Sequence, residues 1–199
     1  MQIRIARLAM MAAMAAMASF AVAAPASAAS SGCSAPPVGK AFLPWGDLND
    51  YFLAQGGDFE STSGWTFRGG ARLVSGSEPF AATGKAGKAS LSMPTGSVAL
   101  SPMLCLTPDN PSIRFFAKAA QGRAASLRGE AVVTKPTSQV IGLGTVDGTL
   151  LWEAAKPMAS GVNDILWDAD KKVSLQIRFT ADSGSWQIDD LFVVPQKRG

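Results

Sequence analysis

Lys172-Val173-Ser174-Leu175-Gln176-Ile177-Arg178-Phe179-Thr180 is the stretch that decides the fold class. Val173, Leu175, Ile177 and Phe179 alternate with polar or charged neighbours. A period of two places the four apolar side chains on one face of a strand and the polar ones in water. Ile113 and Phe115 alternate with Arg114 in the same way. Trp186, Ile188 and Phe192 share one parity in the last apolar stretch.

Outward from this stretch, short apolar runs recur between turn signals. Tyr51 to Ala54 precedes Gly56-Gly57, Trp65 to Phe67 precedes Gly69-Gly70, and Ala71 to Val74 follows directly. Further strands are expected at 89–93, 97–100, 103–106, 112–117, 126–134, 139–146, 150–155, 172–180 and 185–194. Many half-buried strands with Gly, Pro, Asp and Ser between them predict an all-β chain, an antiparallel β-sandwich or barrel. Asn163 to Leu166 fits a short helical turn as well as a loop.

The N-terminus has the order of a secretory signal. Arg4 and Arg7 precede an apolar run from Leu8 to Ala24, and Pro25 with Ala26-Ser27-Ala28 presents a small-residue cleavage site. A membrane anchor needs about 20 apolar residues, more than this run supplies. The expected organisation is a helical signal peptide at 1–28, an extended Pro-rich arm at 29–50, the sandwich at 51–195 and a tail at 196–199. Without 1–28 the chain keeps sixteen basic against fifteen acidic residues, a net charge of +1. No basic stripe or motif for nucleic acid is visible. No later run predicts a membrane span.

Cys33 and Cys105 are the only cysteines. In an oxidising compartment they are expected to pair. Closing a loop of this length stabilises by roughly 4 kcal/mol through chain entropy. Two buried thiols or an intermolecular bridge are the alternatives.

Two segments carry a resemblance. Gly56-Gly57-Asp58-Phe59-Glu60 with Gly64-Trp65-Thr66 and Gly69-Gly70-Ala71, and Trp186-Gln187-Ile188-Asp189-Asp190-Leu191-Phe192-Val193, resemble the opening and closing strands of galactose-binding-like jelly rolls, a group that includes carbohydrate-binding modules. A wider pattern adds Cys33, Phe42-Leu43-Pro44-Trp45-Gly46-Asp47, Glu78-Pro79-Phe80 and Cys105. It is similar to a set of secreted actinomycete β-sandwich proteins to which no activity is attached. The jelly-roll resemblance implies a structural calcium held by Glu60 and by Asp189 or Asp190. Oxygen donors of this kind suit calcium. Adjacent Asp189 and Asp190 are expected to point to opposite faces of their strand.

The chain has no histidine, so Ser-His-Asp and Cys-His machinery is excluded. No nucleophile elbow, phosphate loop or zinc motif occurs. A glycosidase needs only two carboxylates; no pair stands out, and Glu60, Glu130 and Glu153 are the residues to test. The expectation is a non-catalytic exported module. Sugar rings stack on aromatic side chains, and Trp45, Tyr51, Trp152 and Trp167 lie in or beside loops, with Asp168 next to Trp167 to bond hydroxyls. Trp65 and Trp186 are expected in the core. A polysaccharide of the cell wall or extracellular matrix is the expected ligand. An envelope protein partner without sugar is the alternative.

Overall fold

The computed structural model describes residues 36–110, 112–135, 138–160 and 171–195. It is all-β. Among these residues thirteen strands run in chain order: β1 (Phe52–Leu53), β2 (Thr66–Arg68), β3 (Arg72–Ser75), β4 (Ala89–Met93), β5 (Val98–Leu100), β6 (Leu104–Leu106), β7 (Ser112–Ala119), β8 (Ser126–Lys135), β9 (Gln139–Asp147), β10 (Glu153–Ala154), β11 (Met158–Ala159), β12 (Val173–Ser183) and β13 (Trp186–Val193). One sheet has the order β10-β7-β13-β4-β3, with β1 added to β13 and β11 to β7. The other has the order β2-β5-β12-β8-β9, with β6 added to β12. Every pairing is antiparallel. No helix among the described residues is long and apolar enough to cross a membrane.

The alternation in β12 does what its period dictates. Val173, Leu175, Ile177, Phe179 and Ala181 are buried in turn and the residues between them are not. Phe179 meets Phe115 of β7 edge to face, centroids 5.0 Å apart. That contact joins the two sheets, and burial of each such ring stabilises by about 1.5–3 kcal/mol. Trp186 and Trp65 lie in the same core, with 2% and 8% of their surface exposed.

The last strand departs from simple alternation. Its register against β7 shifts between Asp189 and Phe192, and Asp190 takes a left-handed backbone, φ +49°. This bulge reverses the faces beyond it. Trp186 and Ile188 point into the main core, but Leu191 and Val193 replace the expected Phe192 there. Phe192 lies on the opposite face. The bulge also buries both Asp189 and Asp190, 0% and 4% exposed, where strict alternation predicts only one inward.

A second, smaller core lies on the outer face of the β10-β7-β13 sheet. Phe116, Phe192 and Val194 are covered there by Phe42 and Tyr51. The described part of the arm is therefore not simply extended. Leu43–Trp45 form a 3-10 turn begun by Pro44 and closed by Gly46, whose φ of +75° suits glycine. Gly39 pairs with Tyr51, so the arm folds back and drives Phe42 against Phe116 at 5.1 Å. The expected signal segment at 1–28, the tail at 196–199 and Asn163 to Leu166 lie outside the described residues. So does Cys33. No cysteine is free among the described residues.

Candidate functional site

The arm is locked by one ion pair. Arg114 Nη1 stands 2.7 Å from Asp47 Oδ2, and both side chains are largely buried. Tyr51 Oη donates to the same oxygen at 2.5 Å, and Asp47 Oδ1 accepts the backbone and side-chain N–H groups of Asn49. Arg114 Nε donates to the Ala155 carbonyl at 2.8 Å, and its guanidinium lies 4.3 Å above the Phe42 ring. Burial pushes the Asp47 carboxyl up, but the hydrogen bonds from Tyr51 and Asn49 and the Arg114 charge outweigh it and hold it below the usual range. The Tyr51 hydroxyl is pushed up to about 12 by burial and by its bond to Asp47.

Beside this lock the arm and the segment 80–84 border a groove of about 510 Å³. Trp45 and Phe80 form its aromatic wall. Their rings meet edge to face, centroids 4.9 Å apart. Trp45 is half-buried and rests on Phe116 at 5.1 Å, and Phe80 is 43% exposed. Tyr51 and Phe192 lie beneath, and Lys40 and Thr83 add polar groups. Lys40 Nζ is held by the Leu48 carbonyl at 2.7 Å and by Asp50 at 3.0 Å.

The position of Phe80 is set from below by the β13 bulge. Asp189 Oδ2 accepts hydrogen bonds from Ser77 Oγ at 2.6 Å and from Glu78 N at 2.9 Å. The buried Glu78 carboxylate in turn accepts the N–H groups of Phe80 and, at 2.9 Å, of Ala82. Ala81 consequently sits at φ +52°, a conformation most side chains avoid. Asp190 shares a carboxyl hydrogen bond with Glu78. Burial, with the neighbouring Asp189 and Glu78 charges, raises the Asp190 carboxyl to about 8. Burial raises Asp189 to about 6, against the hydrogen bonds from Ser77, Glu78 and Asp190.

These carboxylates have the donor chemistry of a calcium site, but Glu60 Oε1 and both Asp189 oxygens accept hydrogen bonds from within the chain. Glu60 Oε1 accepts the backbone N–H of Lys88 at 2.6 Å and of Ala89 at 3.1 Å. The Lys88 bond first, then that of Ala89, holds its carboxyl low against slight desolvation. Among the described residues no group of three or more His, Cys, Asp or Glu side chains is placed to share a metal ion.

The structure brings three of the expected ligand residues onto one face. Trp45, Tyr51 and Trp152 all pack on the outer core of the β10-β7-β13 sheet. Only Trp45 offers a ring at the groove margin. Tyr51 is 1% exposed and serves the lock, so it is no stacking platform. Trp152 is half-buried with Lys118 Nζ 5.0 Å from its ring centre, away from the residues lining the groove. Trp167 and Asp168 lie outside the described residues. Of the carboxylates set aside for hydrolysis, Glu60 caps a turn. Glu130 is pinned by Arg178 and Arg128 at 2.8 Å each on the outer face of β8. Glu153 is exposed on β10. They do not converge.

Sequence reasoning missed the roles of Asp47, Glu78, Phe80 and Arg114. The adjacent Phe115-Phe116 was the available signal, because a strand apolar on both faces needs a cover on each side.

No family model matches the chain, and no curated protein matches it. Solved structures similar to it include the CBM22-1 xylan-binding domain of Paenibacillus barcinonensis Xyn10C, 17% identical, TM-score 0.45, covering 70% of this chain and 92% of that one. The CsCBM6-3 module from Clostridium stercorarium, solved with cellobiose, is 14% identical, TM-score 0.43, over 74% and 93% of the two chains. The family 11 carbohydrate-binding module of Clostridium thermocellum Lic26A-Cel5E is 14% identical, TM-score 0.41, over 77% and 100%. These neighbours are carbohydrate-binding modules built on β-sandwiches.

Proposed function

We propose that this chain is an exported, non-catalytic module that binds polysaccharide through the groove between Trp45 and Phe80. The observation that carries the reading is the edge-to-face pair of Trp45 and Phe80 rings at the margin of a groove of about 510 Å³. Ligand sites of this size combine apolar ring faces with a few polar groups that fix orientation. Here the ring faces belong to Trp45 and Phe80, and the polar groups are Lys40 and Thr83. A neutral glycan suits this lining, since Lys40 is already neutralised by Asp50.

Affinity electrophoresis in gels containing soluble xylan, β-glucan or galactan tests the proposal. The expected result is retardation by at least one polysaccharide, weakened about tenfold, or 1.4 kcal/mol, by Phe80→Ala. Trp45→Ala should act in the same direction, with its melting temperature checked because the ring also supports Phe116. Free mobility in every polysaccharide would reject the reading.

A further inference from the structure

A second cleft, of about 520 Å³, opens at one margin of the sandwich. Its walls come from β9, the last strand of one sheet, and from β10 and β11 at the border of the other. Leu143, Met158 and the buried Trp186 give it an apolar floor. Arg123, Asp147, Glu153 and Lys156 line it as well. All four are exposed, and none makes an ion pair or side-chain hydrogen bond among the described residues. On the outer face of β8 and β12, by contrast, charges are matched: Arg128 pairs with Glu130 and Asp182, and Arg178 with Glu130. In the cleft two cations and two carboxylates face the same space unpaired.

The backbone adds a second observation. Among the described residues β9 pairs only with β8, and β10 and β11 pair only with β7. Each therefore has an outer edge without a strand partner among those residues. Such edges are templates for an added strand. In strand addition the main chain supplies affinity, and side chains on the flanks supply selection.

We infer that this cleft receives an extended peptide bearing both ammonium and carboxylate side chains, aligned along the β9 edge. Arg123 and Lys156 meet its carboxylates, and Asp147 and Glu153 meet its ammonium groups. A polymer of one charge sign gains from two of these residues and is repelled by the other two. An uncharged glycan offers hydroxyls but no counter-charge to any of the four. The inference stands apart from the Trp45–Phe80 groove and does not depend on it.

Fluorescence anisotropy with short labelled peptides is the test: one alternating Val with Lys and Glu in turn, one with Lys only, one with Glu only. The mixed peptide is expected to bind at low salt and to be released at high salt. The single-sign peptides should bind about tenfold more weakly. Arg123→Glu and Lys156→Glu, both at exposed positions, should weaken the mixed peptide by a similar factor, and Trp45→Ala should not change it. Lack of binding, equal binding of the three peptides or indifference to the charge reversals would overturn the inference, leaving these charges as guards that keep strand edges apart. Competition by polygalacturonate as strong as by unlabelled mixed peptide would overturn it in favour of an acidic glycan.

Discussion

Asp47 Oδ2 and Arg114 Nη1 lie 2.7 Å apart across 67 residues of sequence, and this contact fastens the arm to the outer face of the sheet. Both side chains are about nine-tenths buried, and each has further hydrogen bonds, so the pair is well compensated.

Breaking that pair from one side should be costly. Arg114→Met leaves Asp47 buried without its cation, and such losses reach about 3 kcal/mol or more. Urea unfolding of the variant should show this drop in stability. A change below about 0.5 kcal/mol, the range of an exposed pair, would show that the arm is not held this way. Loss of the lock should also weaken polysaccharide retention, because the arm carries Trp45.

Two groups of carboxylates give opposite pH dependences. Asp189 and Asp190 are raised above their ordinary 3.8, to about 6 and about 8. The folded state therefore holds protons that the unfolded chain releases, and their contribution, complete below about pH 4, is lost as pH rises toward 8. Asp47, Glu60 and Glu130 are lowered, and their contribution is lost as pH falls below about 4. Thermal melts should show a maximum in mildly acidic solution. Asp190→Asn should flatten the decline toward pH 8, since asparagine keeps a hydrogen bond to Glu78 and tolerates the left-handed backbone. An unchanged slope in that variant would remove Asp190 as the source.

Gly57 is where the loop before Phe59 presses against the β13 bulge. A Cβ there would stand 2.6 Å from the Leu191 carbonyl oxygen and 3.0 Å from that of Ala54. Neither carbonyl oxygen moves freely, because Leu191 O accepts from Ala54 N and Ala54 O accepts from Gly57 N itself. Gly57→Ala is expected to destabilise by about 1–3 kcal/mol, the range of overpacking. Gly142→Ala, with nothing within 4 Å of the added carbon, is the control; equal melting temperatures for the two variants would contradict the account.

Calcium is expected to leave the melting temperature unchanged, because Glu60 and Asp189 already bond backbone donors. A rise on adding calcium, reversed by EDTA, would show that Glu60, Asp189 and Asp190 rearrange into a ligand set, as the jelly-roll resemblance implies.

Most strands were legible from Ala89–Met93, Ser126–Lys135 and Val173–Ser183, where polarity alternates or turn residues bound the run. β11 was missed because two residues carry no period. The run 150–155 reads as one apolar strand, yet only Glu153–Ala154 pair with β7 and the preceding leucines are exposed. The aromatic types of the groove were visible, but their exposure was not. Nothing local distinguishes Tyr51, buried against Phe42, from Trp45, open at the margin.

The sequence by itself determined a chain of alternating strands without histidine chemistry, because side-chain period and residue inventory are local properties. Tertiary structure decided which aromatic ring meets solvent, which face Phe192 takes and where Asp190 lies. Those outcomes turn on one bulge and one long-range ion pair, and both exist only once distant segments are in contact.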